Sequence, residues 1–455
     1  MTHRYIARIV LEAETPLFVG SGDASFLKDA LVQRDYHGFP MIQGTSLAGV
    51  LRHALGHENH KEDSIFGFQA QKGKKGSGSQ VKISSAYLIL DDNKIAEDIS
   101  LTPDQEKKLP CFEDLPSRQH VRINDKGVAD QENNGLFDNE VVYKGARFIF
   151  EIELKGSKNN EDDWKALLNK LALPSFRLGQ GTRNGYGKLK IHSCKTKTFD
   201  LSQKSDFDAY LNYDPSFNSE NNILKANELS ESEEDILHYE LSLKPDDFFI
   251  FSTGYGDDEV DYIPLTEKTI TYPDNKIEIS NEATVLPGSS IKGAISHRTA
   301  FHYNKIKGIV ADNLDDSKKY VGANNEAVKK LFGEKAGENT GSIGKVIIND
   351  IFLDDANNDK IFNHVAIDRF TGGAIQGALF SEKVTTLNHE TTDKKLILNV
   401  YVQDKGIDKN IIKALEESLK DICKGLLPLG GMTTKGHGAF TGKLLKNKKE
   451  IYNYE

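Results

Sequence analysis

Cysteine, tryptophan and long apolar runs are all scarce in this chain. Its 455 residues include one tryptophan and three cysteines, Cys111, Cys194 and Cys423, and no two cysteines form a Cys-x-x-Cys pair. This spacing argues against a zinc ribbon and against a disulfide framework. No stretch approaches the roughly 18 consecutive apolar residues of a membrane span. The start, MTHRYIARIVLEAETPLF, alternates like a strand and lacks the apolar core of a signal peptide. We therefore expect a cytoplasmic protein with no membrane partner.

Positive charge is also in deficit. The formal net charge is −10 at pH 7, which alone argues against a nucleic-acid-binding protein. The charges are unevenly distributed, however. Acidic residues crowd positions 219–240 and 256–261, whereas basic residues lie in QKGKKGSGS and in two Gly-rich segments. The net charge therefore does not exclude RNA binding.

The chain contains the same four short sequence stations twice, in the same order. The first station is GFPMIQGTSLAGVLRHAL at 38–55 and EATVLPGSSIKGAISHRTA at 282–300; the second is SIFG at 64–67 and KLFG at 330–333; the third is HVRINDKGVADQENNGLFDNEVV at 120–142 and HVAIDRFTGGAIQGALFSEKVTTL at 364–387; the fourth is GQGTRNGYGKLKI at 179–191 and GGMTTKGHGAFTGKL at 430–444. Four stations in one order indicate an internal duplication.

The duplication and the local patterns predict the domain organisation. Residues 1–200 form a first domain, 201–236 an acidic linker and 237–455 a second domain. RYIARIVLEA and ARFIFEIEL alternate as strands do, whereas GTSLAGVLRHAL and EDDWKALLNKLALP have apolar residues at helical spacing. The order of strands and helices predicts an α+β fold of the ferredoxin-like type in each copy.

These residues resemble the RAMP superfamily of CRISPR effector proteins, and specifically the backbone subunits of type III complexes. The resemblance is carried by the first station at 40–49 and 287–293, by IDRFTGGAIQGALF at 367–380 and by the Gly-rich fourth station. It implies two fused RAMP domains with RNA-recognition-motif-like folds, each with a thumb hairpin that kinks bases out of a guide–target duplex. It also implies CRISPR guide RNA, target RNA, and the other RAMP and large subunits of a type III complex as partners.

The candidate RNA-binding residues lie in three of the stations. Glycines at a helix start expose backbone N–H groups to a phosphate, although an ordinary helix cap would leave the same pattern. The candidates in the first station are Gly44, Thr45, Ser46, Arg52, Gly288, Ser289, Ser290, Lys292 and Arg298. In the fourth station they are Arg183, Asn184 and Lys435, with Arg183 and Lys435 aligned as equivalents; a tight helix-to-strand loop is the alternative. Arg122 and Arg369 lie in the third station, the predicted thumb.

The resemblance also implies a catalytic aspartate in the loop before the first helix. Asp29, in KDALVQRD, matches that place in the first copy, and Asp261, in VDYIPL, is the nearest match in the second. Such a carboxylate can act as a base or hold a divalent metal, Mg²⁺ or Mn²⁺, that is not stably bound. Asp23 is the alternative in the first copy, and a loop carboxylate that only accepts backbone N–H groups is the non-catalytic interpretation. His53, His57 and His60 lack an acid or cysteine to complete a ligand set, so no stable metal site is expected.

Two functions remain open from the sequence. One is a backbone subunit that binds CRISPR RNA and cleaves target RNA at kinked positions. The other is a non-catalytic subunit that binds or caps the guide RNA in the same complex. An unrelated two-domain metabolic α/β protein is disfavoured, because no cofactor motif is present.

Overall fold

The structure is a computed structural model. It describes residues 1–26, 28–56, 61–69, 76–97, 100–123, 135–219, 223–229, 236–310, 317–334, 341–354, 356–387 and 395–454. The strands are β1 His3–Ala13, β2 Met41–Ile42, β3 Val81–Ile83, β4 Ala86–Leu88, β5 Ser117–Val121, β6 Leu136–Glu140, β7 Arg147–Gly156, β8 Leu189–Asp200, β9 Lys225–Ala226, β10 Leu237–Pro245, β11 Thr266–Glu267, β12 Ile270–Thr271, β13 Glu278–Ile279, β14 Ala283–Leu286, β15 Val346–Ile348, β16 Ile351–Leu353, β17 Ala356–Ile367, β18 Ala374–Leu387, β19 Leu396–Val402, β20 Phe440–Lys446 and β21 Lys449–Asn453. The helices are α1 Gly44–Leu55, α2 Lys61–Phe66, α3 Pro103–Glu113, α4 Glu161–Asn169, α5 Lys204–Leu211, α6 Gly288–Lys307, α7 Glu326–Phe332 and α8 Lys409–Cys423.

The first copy is a sheet covered by helices. Its strands follow the order β2-β4-β7-β1-β8-β9, and β3 also pairs with β7. The alternation predicted for ARFIFEIEL is confirmed, because Phe148, Phe150 and Ile152 of β7 are fully buried on one face. Leu47 of α1 and Leu167 of α4 join the same core, as their helical spacing predicts.

The second copy repeats this arrangement. Its sheet has the order β15-β19-β10-β20-β21, so β10 lies between β19 and β20 as β1 lies between β7 and β8. Ile291 of α6 and Leu415 of α8 pack in its core. Asp408 caps α8 by accepting the N–H of Asn410. The fold is therefore α+β, and both copies run strand, helix, strand, strand, helix, strand through their central sheets.

A two-stranded hairpin leaves each copy at the third station. In the first copy β5 pairs with β6, and in the second β17 pairs with β18, each as a separate two-stranded antiparallel sheet. The predicted thumb hairpins are thus present in both copies. Residues 124–134, which separate β5 from β6 in the sequence, lie outside the described residues, as do His57 and His60.

The described part of the predicted linker packs on the first sheet. β9 pairs with β8, and Arg8 of β1 donates to the carbonyl oxygens of Pro215 and Ser216 at 3.1 and 2.9 Å. The domain boundaries proposed from the sequence stay a prediction. Within the described ranges, no helix is long and apolar enough to cross a membrane.

Candidate nucleic-acid interface

The two Gly-rich loops have the same backbone structure. Three backbone hydrogen bonds of the first loop recur in the second. Gln180 N donates to Phe18 O as Gly431 N donates to Ile250 O, both at 2.7 Å, and Asn184 N donates to Gly181 O at 2.7 Å as Lys435 N donates to Met432 O at 2.8 Å. The third pair is Tyr186 N to Gly181 O at 3.4 Å and His437 N to Met432 O at 3.5 Å. Gly185 and Gly436 both have left-handed φ, +114° and +96°. These matches make Asn184 the counterpart of Lys435, so the sequence alignment of Arg183 with Lys435 was wrong by one residue.

The loop of the first copy docks on the start of α6 in the second copy. Arg183 Nε donates to the carbonyl oxygen of Gly344 at 3.0 Å, and Lys292 Nζ donates to Asn184 Oδ1 at 3.1 Å. Burial, together with the nearby Arg183 guanidinium, lowers the pKa of Lys292 to about 8. Three of the predicted RNA-binding residues therefore have polar contacts within this joint between the copies. Whether they also touch RNA stays a prediction.

A buried carboxylate lies at the start of α6, where a phosphate contact is predicted. Asp350, between β15 and β16, accepts the N–H of Gly288 at 2.7 Å. A Cβ on Gly185 would overlap this carboxylate, so the left-handed glycine is required for the close approach. The N–H of Gly288 is therefore occupied by a carboxylate of the protein itself, and the phosphate contact of this helix start stays a prediction.

Arg118 of β5 completes the joint. Its guanidinium bonds Asp350 and forms a two-pronged contact with Glu267 of β11, in which the Nη2–Oε2 distance is 2.8 Å. Burial alone would lower the pKa of Arg118, but Asp350 and Glu267 raise it well above its ordinary value. The guanidinium also lies 5.1 Å from the ring centre of Tyr186. Nothing in the sequence pattern linked Arg118, Glu267 and Asp350, because they lie far apart along the chain.

The first-station helix of the first copy has a more open start. The N–H of Gly44 lies 3.4 Å from Ser85 Oγ, so a hydroxyl takes the place that Asp350 has in the second copy. Thr45 is exposed and Ser46 half-buried. The predicted phosphate contact of this helix start stays a prediction.

The other polar candidates of the first station differ in what surrounds them. Arg52 forms an ion pair with Asp63 at 2.6 Å, and Arg298 forms one with buried Asp421 at the same distance. Because Asp421 also bonds His302 at 2.8 Å, Arg298 belongs to an internal network of the second copy. Ser290 is exposed and Ser289 half-buried beside the joint.

Asp29 and Asp261 occupy the same place in the two copies. Asp29 Oδ2 accepts the N–H of Asp138 at 3.0 Å, and Asp261 Oδ2 accepts the N–H of Ser381 at 2.7 Å. Asp138 and Ser381 each directly follow a phenylalanine that stacks on the histidine across its hairpin. Both aspartates are exposed. The structure therefore brings the two predicted acids to equivalent positions at the base of the hairpins.

The surroundings of the two acids differ. Asp138 places a second carboxylate beside Asp29, and its Oδ1 accepts the N–H of Asp29 at 2.6 Å. Beside Asp261 the corresponding side chain is the Ser381 hydroxyl, which donates to the Asp261 carboxylate at 3.1 Å. Asp23, the alternative in the first copy, lies in a turn where its N–H donates to Ser21 Oγ at 3.1 Å. Among the described residues, no three His, Cys, Asp or Glu side chains form a ready metal-ligand group.

The hairpins present apolar side chains to solvent. In the second hairpin Phe370 is 83% exposed and Leu379 71% exposed, and the Arg369 guanidinium lies 4.8 Å from the ring centre of Phe370. In the first hairpin Leu136 of β6 is 63% exposed. Arg122, which directly follows β5, is exposed as well. Exposed apolar residues on a projecting hairpin are suited to wedging between bases.

The second Gly-rich loop lies against the second hairpin. Lys435 Nζ is 3.8 Å from the ring centre of Phe380, and His437 Nε2 is 3.0 Å from Glu382 Oε1. His364 of β17 contacts the same carboxylate oxygen at 2.7 Å. The loop and the hairpin base thus form one surface that carries a cation and an aromatic ring side by side, a combination that binds both phosphates and bases.

Comparison with known proteins agrees with this organisation. The family model described as the RAMP superfamily matches residues 10–190 and 274–441. No curated protein matches the chain significantly. The two matched regions together exceed half of the chain. Each contains the hairpin of one copy, the helices α1–α4 or α6–α8, and part of the sheet of that copy, whereas β10 and most of β8 lie outside the matched regions. The chain therefore belongs to the RAMP superfamily, with two copies of the family's domain fused in tandem.

Proposed function

We propose that this chain is a CRISPR RNA-binding backbone subunit of a type III effector complex, and that it cleaves guide-paired target RNA beside each hairpin. Membership of the RAMP superfamily supports an RNA-binding, CRISPR-associated role. The observation that carries the cleavage proposal is the equivalent placement of Asp29 and Asp261, both exposed at the base of a hairpin with apolar residues in solvent.

Each hairpin carries exposed apolar side chains that can enter the duplex, and an exposed aspartate lies at its base. Exposed side chains such as Phe370 and Leu379 would unstack a base pair, and the kinked strand would then pass the carboxylate at the hairpin base. Cleavage of this kind needs the 2′-OH in line with the P–O5′ bond: the 2′-oxygen bonds to phosphorus, the P–O5′ bond breaks, and the 5′-oxygen takes a proton from water. Asp29 or Asp261 can accept the proton of that hydroxyl, because each carboxylate is solvent-accessible and is held in place by a backbone N–H.

A divalent ion fits the first copy better than the second. The neighbouring carboxylates of Asp29 and Asp138 are hard oxygen donors of the kind that Mg²⁺ and Mn²⁺ prefer, with the remaining ligands supplied by water and RNA phosphate. Such an ion, when bound, would offset negative charge on the reacting phosphate. Asp261 has a serine in place of the second carboxylate, so its site would hold the ion more weakly.

The test is a mapped cleavage assay on labelled target RNA with the assembled complex and Mg²⁺ or Mn²⁺. Asp29→Asn keeps an oxygen that can accept the Asp138 N–H but removes the charge and the base. We expect it to lower the rate at one cut by about 10²- to 10⁴-fold without weakening RNA binding. Asp261→Asn is expected to do the same at a second cut. Asp23→Asn is the matched control and should leave the cut pattern unchanged.

The non-catalytic alternative is supported by a specific observation. Both aspartates accept a backbone N–H at the hairpin base, which is also what a purely structural loop carboxylate does. In that case the asparagine variants, which retain the acceptor, would cut or fail to cut just as the unmodified complex does. The chain would then bind and space the guide RNA without cleaving the target.

A further inference from the structure

We use the word notch for the space beside the Cα of a loop glycine that a side chain from a neighbouring element can fill. The notch at Gly185 is filled, and the corresponding notch at Gly436 in the second copy is open among the described residues. In the joint, the Asp350 carboxylate lies where a side chain on Gly185 would be. Gly436 has the same left-handed backbone and the same loop hydrogen bonds, but a Cβ placed on it meets no described atom within 4 Å. The 430–438 loop therefore has the shape of a docking face whose notch at Gly436 no described atom fills, although Lys435 and His437 of the same loop contact the second hairpin.

The residues around this open notch differ from those at the joint. In the first hairpin, Arg118 of β5 pairs with Asn139 of β6, and in the second, Phe362 of β17 pairs with Glu382 of β18. Each of these pairs lies two residues along the hairpin from the stacked histidine and phenylalanine of its copy. Phe362 is therefore the counterpart of Arg118. Its ring centre lies 5.8 Å from that of His437, just as the Arg118 guanidinium lies over Tyr186. The open face has an aromatic ring where the joint has a buried cation.

The complementary face is the one around the start of α1. Ser85 stands in place of Asp350, since each contacts the N–H of the first helical glycine. Asp35 stands in place of Glu267, because the hydrogen bonds Gln33 N to Val19 O and Met41 N to Gln33 O recur as Leu265 N to Phe251 O and Val285 N to Leu265 O. Asp35 accepts the N–H groups of His37 and Phe39, both at 2.9 Å, so its carboxylate is folded back into its own turn.

These two open faces do not complement each other. A second copy of the chain stacked in the geometry of the joint would place Phe362 against Asp35 and Ser85. The notch at Gly436 would receive a hydroxyl, and Asp35 would be buried without a cation, which is unfavourable. The joint inside the chain has an arginine and two carboxylates at the same three places.

We propose that the 430–438 loop is a docking face for a different chain, which inserts an acidic side chain at its own helix start into the Gly436 notch, and that this chain does not stack on itself. An acidic occupant is favoured because Asp350 is the group that fills the equivalent notch at Gly185. The identity of the docked chain as a further subunit of the complex rests on the proposed function.

The first test uses the full chain alone in sedimentation velocity, without RNA. The unmodified chain is expected to sediment as a monomer. Ser85→Asp introduces the carboxylate that Asp350 supplies at the joint, and Phe362→Arg introduces the arginine that Arg118 supplies there. Ser85 and Phe362 are both only half-buried, so the two open faces can accept these changes. We expect this double variant to self-associate at least about tenfold more tightly, as buried charge pairs at interfaces do.

Adding Gly436→Ala should abolish this association, because the new methyl group fills the notch. Gly406→Ala is the matched control: Gly406 also has left-handed φ, +76°, and open space around it, but it lies in a different loop. The docking face would be overturned if the double variant stayed monomeric. It would also be overturned if Gly436→Ala left the self-association of the double variant unchanged. Self-association of the unmodified chain that Gly436→Ala removes would overturn the inference that the chain does not stack on itself.

The second test uses the assembled complex with guide RNA and no target. A photoreactive benzoylphenylalanine in place of Phe362 should cross-link to a different subunit, within a few residues of an acidic helix start. A cross-link to another copy of this chain would contradict the proposal, as would one confined to RNA. Because no target RNA is present, the result is independent of whether Asp29 or Asp261 cleaves.

Discussion

The joint between the copies depends on one buried arginine. The Arg118 side chain is 3% exposed, and its partners Glu267 and Asp350 are 6% and 0% exposed. Arg118→Met would leave two buried carboxylates close together without a cation. Breaking a buried ion pair from one side costs about 3–5 kcal/mol of unfolding free energy. We expect a loss in that range, because both carboxylates lose the same partner.

The assay is urea denaturation followed by fluorescence, combined with amide hydrogen exchange at Gly288, whose N–H is bonded to Asp350. Exchange there should accelerate in the variant. Adding Glu267→Gln and Asp350→Asn should recover part of the loss, since the buried charges are then gone. Lys165→Met removes an exposed ion pair with Glu161 and is the control that should change nothing measurable.

Two results would refute this reasoning. One is an Arg118→Met variant as stable as the unmodified chain, with unchanged exchange at Gly288. The other is a triple variant that is no more stable than the single one, which would mean that the loss came from packing against Tyr186 and not from uncompensated charge.

The remaining predictions concern Lys292, Lys435 and Phe370. The pKa of Lys292 falls from its ordinary 10.5 to about 8 in the folded chain. Between pH 8 and pH 10.5 the unfolded chain therefore binds more protons at this group than the folded chain does. The contribution of Lys292 to the free energy of unfolding consequently rises with pH in that range. Lys292→Met should therefore stabilise the chain at pH 7 by up to about 3 kcal/mol and lose this advantage above pH 10, as pH-dependent urea melts will show; a pH-independent difference contradicts this. Lys435→Gln should weaken RNA binding about equally for all sequences and reduce its salt dependence in filter-binding titrations, and a sequence-selective effect would contradict a phosphate contact. Phe370→Ser should reduce base unstacking near the second hairpin, read by 2-aminopurine fluorescence in the target strand, while guide affinity is retained; unchanged fluorescence would exclude Phe370 as the wedge.

Local pattern was enough to predict the fold but not the joint. The alternation in β7 and the helical spacing in α1 depend on neighbours a few residues away, and both are confirmed. The fourth station predicted a repeated loop, and its backbone hydrogen bonds do recur. The position of Asp350 at the start of α6 was not predictable, because a single aspartate between two short strands has no local signature. The sequence pattern therefore gave no sign that the N–H of Gly288 is bonded within the protein.

The two copies differ at the starts of α1 and α6 and are therefore not equivalent sites. At one helix start Asp350 already satisfies the N–H of Gly288, and an RNA phosphate there would have to approach a buried carboxylate. At the other, Ser85 offers only a hydroxyl at 3.4 Å, so the start of α1 retains unused capacity for an anion. Sequence similarity between the stations is thus compatible with different ligands. The N–H of Gly288 at the helix start of the second copy is bonded to Asp350, whereas the N–H of Gly44 in the first copy has only the Ser85 hydroxyl near it among the described residues, so we expect an external phosphate at the first copy.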